Sequence, residues 1–281
     1  MESSDIAATA PAARPRKQRS GLGETTRFLL LLFVFALVLR SFIVAPFMIP
    51  SGSMLPRMMI GDYLFVAKWP YGYSRYSMPF GIASFEGRIF GGQPERGDVV
   101  VFRYPGGSSD DYVKRLIGLP GDRIQMRAGV LHLNGKAVPK VRIADYLMPI
   151  TPNSPCRYVQ PELAREITTE TGERFCSYSR FRETLPGGRS YNVLDQIEEG
   201  PADNSDVYTV PAGHYFMMGD NRDDSEDSRI PLEAGGVGPL PADHVIGRAL
   251  ITFFSTDGTA EWLKPWTWFT AARWDRIGET F

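Results

Sequence analysis

Directly after a long apolar run the chain reads Ile49-Pro50-Ser51-Gly52-Ser53-Met54-Leu55-Pro56. Two prolines and a glycine hold the backbone around Ser53 in a tight, extended course. Such a turn can fix one hydroxyl and aim backbone N–H groups at a developing oxyanion. A serine-rich linker beside a membrane segment would carry the same residue types. A serine becomes a nucleophile only with a base in reach. The three histidines, His132, His214 and His244, sit in no triad-like context, and His132 alternates with Leu131 and Leu133 as an exposed strand residue would.

The search for a base then moves to lysine, of which there are six. Lys17 precedes the apolar run, Lys136 and Lys140 flank a turn, and Lys264 lies in a Trp-rich tail, which leaves Lys68 and Lys114. Lys114 stands in the run Asp111 to Asp122, where strand alternation puts Tyr112, Lys114 and Leu116 on one face and Arg115 on the other. Apolar neighbours on that face would desolvate the ammonium, lower its pKa and supply the neutral amine a base requires. The alternative is a surface lysine with a buried stem.

A third segment, Gly213 to Arg229, is acidic at five of the eight positions from Asp220 to Asp227. A calcium loop would need a central Gly and a terminal Glu at set spacing, and Arg222 interrupts the run. Penicillin-binding chemistry is excluded because no lysine has a serine three residues before it. The isolated histidines have no metal-ligand spacing, so neither a metal nor another cofactor is expected.

The scaffold around these groups reads as mainly β. Short β-branched and aromatic runs bounded by Gly, Pro and Asp predict strands over Tyr63 to Ala67, Val99 to Arg103, Tyr112 to Ile117 and Val245 to Phe254. Asn134-Gly135 predicts a hairpin turn. Tyr71 to Gly92 and Pro139 to Asn204 alternate only weakly and read as an insertion and a smaller inserted β-rich subdomain. No stretch beyond residue 50 has helical periodicity.

Ahead of this domain, residues 14–19 hold four basic side chains, and residues 1–25 read as a disordered basic tail. Phe28 to Leu39 is an unbroken apolar run of twelve. Extended to residues 26–44, with Arg40 reaching the headgroups, it is long enough to span a bilayer. A cleaved signal would share the basic start and the apolar core, but no small-residue cleavage site precedes Pro46. The basic flank predicts a cytoplasmic N-terminus and an external remainder, with residues 45–138 and 205–281 forming a catalytic β domain around the insert at 139–204. Overall 31 basic and 32 acidic residues nearly cancel, so no global positive field favours nucleic acid.

Cys156 and Cys176 both fall in the external part, where they could bridge or remain buried thiols; their polar, Pro-rich surroundings favour a structural staple. Four of the five tryptophans, Trp262, Trp266, Trp268 and Trp274, crowd the C-terminal tail near Phe269 and Phe281. That cluster could sit at a membrane interface or pack the domain's own core.

The segments Pro50 to Pro56, Gly61-Asp62-Tyr63, Arg96 to Phe102, Tyr112 to Asp122 and Gly219 to Arg229, in this order behind one apolar span, resemble bacterial type I signal peptidase. The resemblance covers the anchor and nearly all of the outer domain except Pro139 to Asn204. It implies an antiparallel β fold and a serine endopeptidase that removes signal peptides from exported preproteins at Ala-x-Ala sites, close to the secretion translocon at the inner membrane. Ser53 would attack the scissile carbonyl while neutral Lys114 takes its proton, with Ser225 orienting the amine. The Ser51 hydroxyl and the Ser53 N–H would form the oxyanion hole. Asp220, Asp227, Arg229 and Arg115 would supply supporting ion pairs. Phe47, Ile49, Pro50, Met58, Tyr112 and Val113 would line a cleft for an extended peptide.

Arg57 and Asp224 depart from the usual pattern, where a small polar residue and Asn are common. The rival readings are a specialised peptidase maturing a conjugation or pilus subunit, a self-cleaving repressor, and a non-catalytic membrane-tethered peptide-binding β domain. The membrane span and the lack of a basic helix-turn-helix weigh against the repressor.

Overall fold

The computed structural model describes residues 21–78, 85–157, 165–261 and 263–281. It divides into two compact units, Met1–Val38 and Leu39–Phe281. The described part of the first is one helix, α1 (Gly21–Val38). Its run of Leu and Phe favours helix, and side chains such as Leu30, Phe33 and Phe35 stand exposed, as lipid-facing residues would. The stretch Gly23–Ile43 is long and apolar enough to cross a membrane.

The boundaries differ from the expected 26–44. The helix starts at Gly21, inside the segment read as tail, and a π-helical turn (Leu39–Ile43) ends it. Val44 already belongs to a strand, because Pro46 drives Ala45 to an extended backbone. Residues 1–20, most of the expected tail, lie outside the described residues.

The second unit is built from strands. In chain order the first seven are β1 (Val44–Met48), β2 (Asp62–Ala67), β3 (Val99–Arg103), β4 (Asp111–Gly118), β5 (Arg123–Arg127), β6 (Val130–Leu133) and β7 (Lys136–Ala137). Then come β8 (Lys140–Pro149), β9 (Arg165–Thr168), β10 (Arg174–Thr184), β11 (Ser190–Leu194), β12 (Tyr208–Thr209), β13 (His214–Met218), β14 (Leu240–Pro241) and β15 (Val245–Ser255). A seven-stranded antiparallel sheet has the order β1-β2-β15-β3-β4-β13-β14. Pro46, which has no N–H to donate, is tolerated because β1 is an edge strand.

A four-stranded sheet, β12-β5-β6-β7, packs Ile124, Leu131 and Leu133 against Ile117 and Phe216 of the large sheet. Asn134 and Gly135 take φ of 53° and 81°, the left-handed pair that a tight β6–β7 hairpin requires. A third sheet, β11-β10-β8 with β9 on β10, forms the β-rich insert expected over residues 139–204. Its strands are long, ten residues in β8 and eleven in β10, yet charged side chains on exposed faces hide the alternation. Cys156 and Cys176 are joined in a disulfide, with Cα atoms 5.4 Å apart, beside Met148 and Tyr178. Beneath the Ser53 turn lie Met54, Met58, Leu64 and Val101, all almost fully buried. Each such side chain contributes roughly 1.5–3 kcal/mol of transfer free energy.

The only helix described beyond Val44 with α geometry is α2 (Trp266–Thr270), five residues long. Trp266, Trp268, Phe269 and Trp274 are exposed rather than packed into a core, whereas Phe281 is half-buried against the cluster beneath Ser53. Trp262 lies outside the described residues.

Candidate active site

Lys114 and Ser53, 61 positions apart in sequence, meet: Nζ lies 2.6 Å from Oγ, and both residues are buried. Strand β4 carries the lysine between β3 and β13, with Val100 opposite it in β3. Alternation sends Lys114 to one face and Arg115 to the other. Removal from water holds the Lys114 ammonium down to about 8, with Asp227 and Glu226 opposing the fall and Arg229 adding to it. The same burial lowers Lys68 to about 8, but its amine is bonded to the Ser77 carbonyl and it lines no cleft with Ser53.

Ser53 is held by backbone on both sides. Within the turn the Leu55 N–H donates to the Gly52 carbonyl at 3.0 Å. From the acidic segment, the Asn221 N–H donates to the Ser53 carbonyl at 3.0 Å and Asn221 Nδ2 to the Gly52 carbonyl at 3.2 Å. Gly219 passes so close that a methyl group on it would lie 2.6 Å from the Ser53 carbonyl oxygen and 2.2 Å from Ser225 Oγ. The Ser53 N–H donates to no described protein group. Ser51 Oγ, on an exposed residue, lies 3.4 Å from Ser53 Oγ.

Two expectations are met differently. The buried Ser225 Oγ makes no hydrogen bond, so the link expected from Ser225 to the lysine amine is not formed in this geometry. The hydroxyl instead packs against the Cα of Gly219. Met58 does not line the cleft; its side chain is fully buried in the core cluster below, with Ile49 and Val113.

The four ionic residues form two pairs. Arg115 Nε and Nη2 donate to the two carboxylate oxygens of Asp220 at 2.7 and 2.6 Å, the fork geometry that makes such pairs strong. Asp227 accepts from Arg229 and from the Gly219 N–H. Burial alone would raise Asp227, but those donors hold it below the usual carboxylate range. Arg115 lies over the Tyr191 ring at 4.3 Å. Tyr191 donates to Glu183, which receives a two-pronged contact from Arg222 at 2.8 and 2.6 Å. Glu183 and Tyr191 belong to the insert, and sequence reasoning did not find them. The available signal was Arg222, a lone cation inside an acidic run. Asp62, marked in the sequence only as part of Gly61-Asp62-Tyr63, takes Arg276, Ser255 and the Met59 N–H and so anchors the end of the Ser53 turn.

Together these segments enclose an open cleft of about 750 Å³. It is lined by Phe47, Ile49, Pro50, Tyr112 and Val113 of the expected set, with Ser51, Ser53, Lys114 and Ser225 at its floor. Asp224, the departure from the usual pattern, pairs with Arg157 at 3.1 Å on the rim. At the edge of this cleft, which Asp223 also lines, Asp195, Asp203 and Asp223 bring carboxylate oxygens within 4.8 Å of one another. Lys140 and the backbone N–H groups of Gly200, Gln196 and Ile197 already satisfy them.

The signal peptidase family, peptidase S26, matches residues 22–254. Signal peptidase I of Rickettsia typhi (strain ATCC VR-144 / Wilmington) is 38% identical over 252 residues, covering 82% of this chain and 84% of that protein. Signal peptidase I of Rickettsia akari (strain Hartford) is 40% identical over 229 residues, covering 79% and 75%. A solved signal peptidase I from Enterococcus faecalis is 25% identical, covers 56% of this chain and 97% of its own, and superposes with a TM-score of 0.29. By the extent of the family match and the identity shared with these relatives, the chain belongs to the signal peptidase family, peptidase S26, and is a serine endopeptidase.

Proposed function

We propose that the chain is a membrane-anchored signal peptidase I that removes signal peptides from exported preproteins by a Ser53–Lys114 dyad. The observation that carries this reading is the 2.6 Å approach of Lys114 Nζ to Ser53 Oγ inside a buried site that holds the lysine at about 8. The neutral amine accepts the Ser53 proton as Oγ attacks the scissile carbonyl, and the resulting ammonium donates it to the leaving amine. The free Ser53 N–H and the Ser51 hydroxyl are placed to stabilise the oxyanion. Ser225, which lines the same cleft as Lys114, orients the amine once substrate is bound. Arg115–Asp220 and Arg229–Asp227 fix the walls.

An extended peptide enters as an added strand, with alternate small side chains directed at the pockets formed by Phe47, Ile49, Pro50, Tyr112 and Val113, which favours Ala-x-Ala. Met58 shapes these pockets from below. Residues 45–138 and 205–281 form the catalytic domain and residues 139–204 its insert. The apolar span anchors the chain in the bacterial inner membrane, with the basic N-terminus cytoplasmic and the catalytic domain external, near the translocon. The exposed Trp266, Trp268 and Trp274 offer indoles to the lipid interface. The test is cleavage of a signal-bearing precursor by wild type, Ser53→Ala and Lys114→Met. Both variants are expected to be inactive, and normal turnover by either removes the dyad.

A further inference from the structure

Arg115 points away from the active site into a second cleft, of about 770 Å³, on the other face of β4. The large sheet contributes Arg115 and Arg248 to it, the turn before β3 Asp98, the insert Arg180, Arg182, Arg189 and Tyr191, and the C-terminal tail Arg276 and Glu279. Arg57 completes the wall, four residues after Ser53. Seven arginines thus face two carboxylates.

Three of the seven are neutralised: Arg115 by Asp220, Arg189 by Asp98 and Glu95, and Arg276 by Asp62 and Glu279. Among the described residues Arg57, Arg180, Arg182 and Arg248 have no carboxylate partner. Arg57 and Arg180 donate only to the carbonyls of Thr280 and Ala144. The Nε of Arg248 is buried with no acceptor. Asp98 does not accept from it; its oxygens accept from Arg189, the Tyr71 hydroxyl and the Glu95 N–H. A buried guanidinium donor without an acceptor is costly, and four unneutralised charges around one cleft focus a positive field within it. One carboxylate would neutralise a single charge. A phosphate-class anion carries several charges and fits the planar guanidinium fork.

We propose that this cleft binds a phosphate-class polyanion, either a free phosphate compound or a phospholipid headgroup, through Arg248 and Arg182 with Arg57 and Arg180 in support. The site lies across the sheet from Lys114, and its occupant would brace both β4 and the turn that carries Ser53.

Binding is measured by calorimetry on the full chain in neutral detergent, with inorganic pyrophosphate at constant ionic strength, for wild type, Arg248→Gln and Arg182→Gln. Each variant is expected to bind roughly tenfold or more weakly, the effect of losing one charge-assisted contact. In the lipid arm the same proteins are reconstituted into phosphatidylcholine vesicles with or without phosphatidylglycerol, and the midpoint of thermal inactivation is read. Pyrophosphate binding weakened by both variants assigns a free phosphate compound. A phosphatidylglycerol-dependent rise in midpoint that both variants lose, without pyrophosphate binding, assigns a headgroup. Arg182 is exposed on β10, so its variant reports even if Arg248→Gln fails to fold. Wild type and Arg182→Gln behaving alike in both arms, or a polyglutamate peptide binding more tightly than pyrophosphate, overturns the proposal.

Discussion

Replacing Gly219 by alanine inserts one methyl group between the acidic segment and the backbone of Ser53, the proposed nucleophile. That methyl would stand 2.6 Å from the Ser53 carbonyl oxygen, and ordinary contact begins near 3.4 Å, so the two strands of chain must separate by about 0.8 Å. Ser225 Oγ, at 2.2 Å, can rotate away, whereas the Ser225 Cβ at 2.5 Å and the Ser53 backbone carbonyl cannot. The separation also strains the Asn221 N–H to Ser53 carbonyl bond that now holds the turn. A misplacement near 1 Å at reacting groups costs on the order of 100-fold in rate. Gly219→Ala is therefore expected to cut kcat for precursor cleavage by roughly that factor, with KM changed little because the cleft walls at Phe47 and Tyr112 are untouched. Steady-state cleavage of a purified precursor supplies both constants, and a thermal melt on the same sample checks folding. A folded variant with wild-type kcat would refute the idea that backbone contact with Gly219 places Ser53.

The pH profile of kcat/KM should rise with pH through about 8, because only the neutral Lys114 amine accepts the serine proton, and a profile flat from 6 to 9 would exclude the lysine as base. The same group bears on stability. Its folded-state value lies below the 10.5 of the unfolded chain, so stability falls as pH drops from about 10.5 to about 8, by roughly 3 kcal/mol in all. Lys114→Met should therefore melt higher than wild type at pH 7 while inactive, and a lower melting point would contradict the burial argument. Asp220→Ala strands the fully buried Arg115 guanidinium and is expected to destabilise by about 3–5 kcal/mol in a denaturant titration. A loss under 1 kcal/mol there would mean that water reaches the pair.

Much of the fold was legible because strands buried on both faces read plainly: Val99 to Arg103 was expected and is β3 to the residue. The Asn134-Gly135 turn was equally legible, since few dipeptides accept two positive φ values. The insert was legible as β-rich but not strand by strand, because β8 and β10 expose charged residues along one face and their apolar positions no longer alternate cleanly. Lys114 could be selected by elimination and strand facing, but its meeting with Ser53 depends on the order of seven strands. Met58 was misplaced for a simpler reason: adjacency in sequence to Ser53 does not say which side of the turn a residue faces. The hydroxyl of Ser225 depends on a single rotamer, which no sequence pattern specifies.

The parallel bridge between Leu194 and Asn221 has a consequence for how this chain can be cut and rejoined. Leu194 closes the last strand of the insert, and its backbone bonds to Asp220 and Arg222 on either side of the residue that grips Ser53. Excising residues 139–204 to make a minimal enzyme would thus remove a splint from the proposed catalytic centre, together with Glu183 and Tyr191. A graft is better placed at the exposed Thr169–Gly172 turn between β9 and β10, which touches none of these bonds. What composition marks as an appendix behaves mechanically as part of the frame.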